Sequence, residues 1–396
     1  MKSKSTTNSK TGNLSVSDNT LNRLLSDARV AQFHQRRINH PKLLDLETEL
    51  TTTLMDSPQN TVFLIAGPSG VGKSTLREKI EHNIRMALAK ELQEDRERLA
   101  LVSMEAQSPE SGTFNWREHF RLLLEEFNEP LIDLKRDSVQ RRLGPHILDA
   151  AKNNVRIPAA AYRTSVEKAI EHRRPLAIFI DEAQHLTKVS SGRRLNDQLD
   201  LIKSIANRTK TPHVLLGPYE LLRLRNLSGQ LSRRSIDLHF SRYHAEFDED
   251  AKAFRNVIRK FSSVMPFEYQ PDLVQEWDYL YERSIGCVGI LKNWLTRALA
   301  CSLRRNARTI EHSDLKKTQM DLAKLNQLLN ESIEGELALQ ETEDTRRELR
   351  IRMGLDRPTE EPVQAASAPS RTKKKTKPGN RNPMRDKVGI DDAVIA

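Results

Sequence analysis

Residues 60–80 read NTVFLIAGPSGVGKSTLREKI, and this stretch decides the fold class. Residues 61–66 form an apolar run that is typical of a buried strand. Residues 67–74, GPSGVGKS, fit the pattern G-x-x-x-x-G-K-[ST]. Residues 75–90 have helical character. A strand, a glycine-rich loop and a helix in this order are the context that a phosphate-binding P-loop requires. The sequence therefore predicts an α/β fold with a parallel sheet around a P-loop.

Each part of this loop has an expected role toward ATP and Mg²⁺. The glycines let successive backbone N–H groups turn inward around phosphate oxygens. Lys73 is expected to reach the β- and γ-phosphates, and Ser74 to hold Mg²⁺. The start of the following helix adds partial positive charge. The predicted nucleotide-binding residues of the loop are Gly67, Pro68, Ser69, Gly70, Val71, Gly72, Lys73, Ser74 and Thr75.

A second motif, PLAIFIDEAQH at residues 175–185, places two acidic residues after an apolar run. This pattern predicts a central parallel strand whose carboxyl end faces the P-loop. Asp181 is then expected to act on Mg²⁺, directly or through water. Glu182 is expected to polarise the attacking water as a base. Together the two motifs predict hydrolysis as well as binding.

Composition sets broad limits. The chain has 396 residues and a formal net charge of +10, which favours a polyanionic partner. Its two cysteines, Cys287 and Cys301, have no clustered His or Cys nearby, which argues against a metal site and favours buried thiols. No apolar run approaches the length of a membrane span, and the polar start lacks the apolar region of a secretory signal. The expected location is cytoplasmic.

The pattern along the chain predicts five segments. Residues 1–18 are expected to be disordered, and 19–245 to form the nucleotide-binding domain. Residues 246–330 read as a small helical domain, with helices at 250–263, 271–284, 288–305 and 313–329. Residues 331–357 read as a charged helix. Residues 358–396 read as a disordered basic tail, because residues 371–387 carry eight basic residues against one acid.

Two features just outside the motifs have competing interpretations. Residues 38–41 precede the P-loop strand, where an element often closes over the nucleotide base, so His40 and Pro41 are candidates for base contact. A plain loop and helix start is an equal alternative. The aromatic and leucine stripe on residues 114–127 has helical spacing, which favours core packing over base stacking.

The order of these motifs resembles AAA+ ATPases, and within them the TniB/TnsC type, the ATP-dependent regulators of bacterial DNA transposition. The similar stretches are residues 67–75, 113–117, 178–186 and 286–299. The resemblance covers about residues 30–325. It implies an AAA+ P-loop NTPase with a small all-helical lid.

The resemblance also implies further residues at the nucleotide. Arg233 or Arg234 would be an arginine finger that reaches the γ-phosphate of a neighbouring subunit, against the alternative of an ordinary surface pair. Lys292 falls where a second sensor would contact phosphate from the lid. The first sensor, usually polar, is missing, because the fourth strand ends Leu216-Gly217-Pro218. Slow hydrolysis, stimulated by DNA or partners, is therefore expected.

For partners, the resemblance implies ATP-dependent rings or filaments of this chain on double-stranded DNA. A target-selector protein would supply the site, and transposase subunits would be recruited to it. DNA phosphates would be contacted by basic side chains facing a channel. The candidates are Lys135, Arg136, Arg141, Arg142, Lys152, Arg193 and Arg194.

Three other functions stay open at this point. The first is another AAA+ switch on nucleic acid, such as a helicase loader or a replication initiator. The second is a small-molecule phosphotransferase, which would not explain the arginine pair and the helical domain. The third is an ATP-dependent scaffold that barely hydrolyses, which the missing first sensor allows.

Overall fold

The fold is organised around a parallel sheet. The computed structural model describes residues 18–109, 112–132, 158–188, 192–227 and 235–356. The predicted disordered segments fall almost wholly outside these ranges. In the described part, the sheet has five parallel strands in the order β2-β3-β4-β1-β5. They are β1 (Val62–Ala66), β2 (Val102–Glu105), β3 (Ile178–Asp181), β4 (His213–Gly217) and β5 (Ser235–His239).

The register aligns the carboxyl ends of the strands along one edge. Ala66 on β1 lies opposite Gly217 on β4 and His239 on β5. Asp181 on β3 lies opposite Glu105 on β2. In open parallel sheets, ligands bind outside this edge, next to a strand whose neighbours connect in opposite directions. The loop after β1 starts at such a place.

Helices cover both faces of the sheet, so its central strands are buried throughout. On one face, Val62 and Leu64 pack with α5 (Trp116–Glu126), α6 (Ala159–Arg173) and α7 (Gly192–Thr209). On the other, Phe63 and Ile65 pack with α2 (Pro41–Asp56), α3 (Lys73–Ala87) and α4 (Ala89–Glu94). The predicted α/β fold is thereby confirmed. The predicted core role of the α5 stripe is also confirmed, since Phe120, Leu123, Leu124 and Phe127 are buried.

A second hydrophobic cluster forms the helical C-terminal part. It joins α8 (Asp248–Ser263), α9 (Trp277–Ser284), α10 (Val288–Arg304) and α11 (His312–Thr318). The N-terminal helix α1 (Asp18–Gln35) packs here too, because Phe33 lies 6.1 Å from Phe261 between ring centroids. The sequence pattern predicts that this helix belongs to the nucleotide-binding domain, whereas the structure packs it on the helical part.

Two helices differ from the sequence expectation. The helix predicted at 271–284 begins only at Trp277, after a 3₁₀ turn at Leu273–Glu276. The helix predicted at 313–329 is split into α11 and α12 (Leu322–Leu339). The break has a local cause: the Asp321 side chain accepts from the Ala323 N–H and starts a new helix. Helix α12 continues across residue 330, where the sequence analysis ends the helical domain.

The described residues 341–356 belong to a second unit of the chain, which begins after Gln340. Its described helix is α13 (Glu343–Arg352), which starts with reciprocal hydrogen bonds between Thr342 and Thr345. The domain boundaries drawn from the sequence stay predictions. Across the described ranges, every helix is too short or too polar to cross a bilayer.

Candidate nucleotide-binding site

The loop between β1 and α3 has a backbone that depends on glycine. Gly70 and Gly72 have φ values of +78° and +121°, which other residues rarely adopt. A Cβ on Gly67 would lie 2.3 Å from the Phe240 carbonyl oxygen, so a side chain there has no room. This conformation and the start of α3 provide the backbone N–H groups that a phosphate chain requires.

Lys73 is a buried cation at the centre of this loop. Its Nζ donates to the carbonyl oxygens of Gly67 and Pro68, both at 3.0 Å. Burial lowers the pKa of Lys73 to about 8, although the charges of Glu182 and Asp181 act in the opposite direction. The two carbonyl oxygens are neutral, so they do not balance the buried charge of this ammonium group. A bound anion would stabilise it. The residues therefore fit a phosphate group.

The acidic pair lies at the carboxyl end of β3, on the same edge of the sheet as the P-loop. Asp181 is buried, and its Oδ1 accepts from the Glu182 N–H at 2.9 Å. Its Oδ2 lies 3.5 Å from Nε of Arg77 on α3. Glu182 adopts the left-handed conformation, with φ of +51°, which turns the chain sharply after the strand. Gln184 Nε2 donates to Glu182 Oε2 at 2.6 Å.

The residue types also fit Mg²⁺ held jointly with phosphate. Ser74 is exposed in the first turn of α3, and Asp181 offers one carboxylate. Among the described residues, no group of three or more His, Cys, Asp or Glu side chains could hold a metal ion alone. Mg²⁺ commonly takes one or two protein oxygens and completes its shell with phosphate and water. Ser74 and Asp181 match that requirement.

Two residues predicted from the sequence share a small cavity on the other side of the loop. His40 precedes α2, and its Nδ1 lies 3.0 Å from the Tyr243 hydroxyl. Burial lowers the pKa of His40 to about 4. Lys292 on α10 lines the same cavity, with Val71, Gly72 and Thr75. Burial and the charge of Arg37 lower the pKa of Lys292 to about 8. Pro41 is the first residue of α2.

This cavity is narrow because α10 closes directly on the P-loop. The N–H groups of Gly289 and Ile290 donate to the Gly70 carbonyl oxygen at 2.8 and 3.2 Å. The cavity measures about 40 Å³, close to the volume of one water molecule. The cavity as it stands has no room for a nucleotide base.

The opposite side of the loop opens into a larger cavity of about 610 Å³. Pro68, Ser69 and Gln184 line it on the sheet side, and α12 forms its other wall. Gly335 of α12 packs flat on the Tyr219 ring, since a Cβ there would lie 2.0 Å from the ring. The Tyr219 hydroxyl lies 2.8 Å from His239 Nε2.

An ion pair fixes α12 beside this cavity. Arg242, 9% exposed, contacts Glu336 of α12 through two nitrogens at 2.9 and 3.1 Å. The hydroxyl of Tyr219 is thus engaged with His239, and Glu220 is exposed at the mouth of the cavity.

Several predicted residues lie outside the described part of the chain. The arginine-finger candidates Arg233 and Arg234 are among them. So are most of the DNA-contact candidates: Lys135, Arg136, Arg141, Arg142 and Lys152. Arg193 and Arg194 lie in the first turn of α7. All these roles stay predictions.

Three groups at this edge have little or no signal in the sequence. Arg77 lies one helical turn after Ser74, a spacing that could have suggested its approach to Asp181. Gln184 follows Glu182 by two residues, which offered a weak signal. Arg242 and Glu336 are 94 residues apart, and neither has a local signal.

Comparison with known proteins agrees with this geometry. A family model described as an AAA domain matches residues 57–224. The match spans the P-loop, the acidic pair and β4. The sheet and the helical part together have the AAA+ P-loop fold, which implies nucleotide binding, usually with Mg²⁺.

Comparisons over the whole chain are less informative than this family match. None of the curated proteins compared with the chain matches it. Among solved structures, the Aeropyrum pernix ORC2 protein in ADPNP–ADP complexes is 14% identical, with a TM-score of 0.47; 74% of this chain and 72% of that one are covered. A Walker-type ATPase of Pyrococcus abyssi is 17% identical, with a TM-score of 0.40 and coverages of 77% and 76%. Cdc6p from Pyrobaculum aerophilum is 14% identical, with a TM-score of 0.44 and coverages of 74% and 70%. Similarity at this level assigns no function or partner.

Proposed function

We propose that the chain is an ATPase that assembles on duplex DNA when ATP is bound and recruits a transposase to the site it occupies. The observation that carries the ATPase part is the alignment of the P-loop with the Asp181–Glu182 pair at one edge of the sheet. The DNA and transposase parts are supported by the resemblance of the motif order to TniB/TnsC regulators. The net charge of +10 suits a polyanionic partner.

In this proposal the chain's residues divide the work of hydrolysis. The P-loop N–H groups and Lys73 bind and orient the phosphate chain. Ser74 and Asp181 hold Mg²⁺, which neutralises charge on the phosphates. Glu182 takes a proton from the attacking water. Hydrolysis removes the γ-phosphate, and with it the contacts that hold neighbouring subunits together.

Arg233 or Arg234 supplies the link between nucleotide and assembly. A guanidinium from one subunit would stabilise the γ-phosphate bound to its neighbour. The ATP-bound state then gains contacts only when two subunits meet, so nucleotide shifts the assembly equilibrium. Hydrolysis would release subunits from DNA.

Electron microscopy and sedimentation with a duplex of about 60 base pairs test the assembly. With the non-hydrolysable analogue AMP-PNP, we expect rings or filaments on DNA; with ADP, we expect monomers. Persistent monomers in both states would contradict the proposal. Glu182→Gln should prolong the ATP-dependent assemblies, because proton removal from water is blocked. An unchanged lifetime would favour a scaffold that does not use turnover.

Partner capture separates the transposition regulator from the alternative AAA+ switch. The chain on DNA with AMP-PNP should retain transposase subunits. Retention of a replicative helicase instead would favour a helicase loader or replication initiator. Transfer of phosphate to a metabolite rather than to water would favour a phosphotransferase.

A further inference from the structure

Gln184 lies between Glu182, the proposed base, and the end of the neighbouring strand β4. The residue is 7% exposed, on the 3₁₀ turn Ala183–Thr187 that follows the acidic pair. Its Nε2 donates to Glu182 Oε2 at 2.6 Å. Its Oε1 is buried and has no hydrogen-bond partner among the described residues. One end of this amide is therefore tightly engaged and the other is unsatisfied.

The unsatisfied end packs against Gly217 at the end of β4. A Cβ on Gly217 would lie 2.9 Å from Gln184 Oε1 and 3.4 Å from the Gln184 backbone nitrogen. The amide thus occupies the volume that a side chain at 217 would need. This is the strand end where the sequence offers no polar side chain toward the nucleotide.

This arrangement lowers the stability of the fold, which suggests that Gln184 is present for a function. A buried amide oxygen without a partner destabilises the fold, because its lost hydration is not replaced by a hydrogen bond, and such exceptions often lie at functional sites. A Met or Leu at 184 would fill the same space without that cost. The feature that an apolar residue would lose is the hydrogen bond to Glu182.

We propose that Gln184 is the positioning residue for hydrolysis, which holds the Glu182 carboxylate toward the γ-phosphate side of the P-loop while seated on Gly217. Gln184 lines the cavity of about 610 Å³ together with Pro68 and Ser69 of the P-loop. The hydrogen bond occupies Glu182 Oε2 and leaves Oε1 to act on water. The inference rests on the proposed ATPase function and specifies how its base is oriented.

The step that Gln184 supports is balanced without further reactants. A lone pair of the water oxygen forms a bond to the γ-phosphorus. The bond from that phosphorus to the bridging oxygen breaks, and its electron pair stays on ADP. Glu182 accepts the proton from the water. Gln184 keeps its own protons and contributes only orientation.

The first test replaces Gln184 with Met, which has similar length and no amide. We expect kcat for Mg·ATP to fall about 10- to 100-fold, because an unoriented base is less effective. The KM for ATP and the affinity for AMP-PNP should stay within about threefold. The melting temperature should be unchanged or raised by up to about 3 °C, since the unsatisfied oxygen is removed. Gln93→Met, at an exposed position on α4, is the matched control.

The second test replaces Gln184 with Glu, which keeps the length of the side chain but, when ionised, accepts hydrogen bonds and cannot donate one to Glu182. We expect kcat to fall at least as far as in Gln184→Met, with the KM for ATP within about threefold of the wild-type value. Wild-type kcat in Gln184→Glu would contradict the inference.

The outcomes separate the inference from the proposed function. Wild-type chain that releases no phosphate from Mg·ATP, with or without duplex DNA, overturns both. Wild-type turnover with Gln184→Met within twofold of it overturns the inference alone. A lower melting temperature together with weaker AMP-PNP binding would also overturn it, because Gln184 would then support the fold rather than the base.

Discussion

Lys73 is a residue whose burial opposes the stability of the nucleotide-free protein. Burial lowers its pKa from 10.5 to about 8, a shift worth up to about 3 kcal/mol. Because the unfolded chain binds this proton more tightly, the free energy of unfolding falls as the pH drops from 10.5 to about 8. Below pH 8, the nucleotide-free protein carries the full cost of the buried charge.

Replacing Lys73 with Met therefore separates binding from stability. At pH 7, Lys73→Met should be at least as stable as wild type without nucleotide, and should bind ATP more than tenfold more weakly. The stability of wild type relative to the variant should rise between pH 8 and 10. Urea unfolding at a series of pH values measures this, with the exposed Lys90→Met as control. Parallel stability profiles for wild type and variant would contradict the account.

At the scale of elements, α12 is fixed by a buried ion pair. Glu336→Ala would leave Arg242 buried without its anion, which should lower the free energy of unfolding by about 3 kcal/mol. Glu334→Ala, at an exposed position of the same helix, should stay within about 0.5 kcal/mol. The double variant Arg242→Leu with Glu336→Leu should recover much of the loss. Chemical denaturation measures all three, and a double variant that is no more stable than Glu336→Ala would contradict this account.

Helix α10 also contacts the P-loop closely, because backbone atoms of both elements make the contact. A Cβ at position 289 would lie 2.5 Å from the Gly70 carbonyl oxygen. Gly289→Ala should therefore displace α10, lower the free energy of unfolding by about 1–3 kcal/mol and change ADP affinity. Asn293→Ala, exposed on the same helix, is the control for altered helix propensity. Calorimetry with ADP reports both effects, and wild-type values for Gly289→Ala would show that the contact is dispensable.

For the whole molecule, the proposed assembly on DNA predicts a salt dependence. Contacts to many phosphates release counterions, so affinity for a random-sequence duplex should fall at least tenfold between about 50 and 200 mM salt. The loss should be larger with AMP-PNP than with ADP, because assembly multiplies the phosphate contacts. Fluorescence anisotropy measures both states. Equal, salt-insensitive binding with the two nucleotides would count against assembly on the DNA backbone.

Much of the fold and site follows from sequence because the information is local. The P-loop glycines, Lys73 and the apolar strand before them are contiguous, and Asp181–Glu182 directly follows a second apolar strand. Carboxyl ends of parallel strands lie at one edge, so two local motifs predict one shared site. Helix limits near 271 and 321 were less accurate, because a 3₁₀ turn and a side-chain cap decide them.

By itself, the sequence determined the α/β class, the phosphate loop and the acidic pair. Only the tertiary structure decided that α1 packs on the helical part, that Arg242 pairs with Glu336, and that Gln184 bridges Glu182 and Gly217. The physical reason is the same in each case. Each arrangement includes a contact between residues or elements that are distant in the chain, and the energy of that contact comes from burial and close approach, which no local pattern of residues encodes.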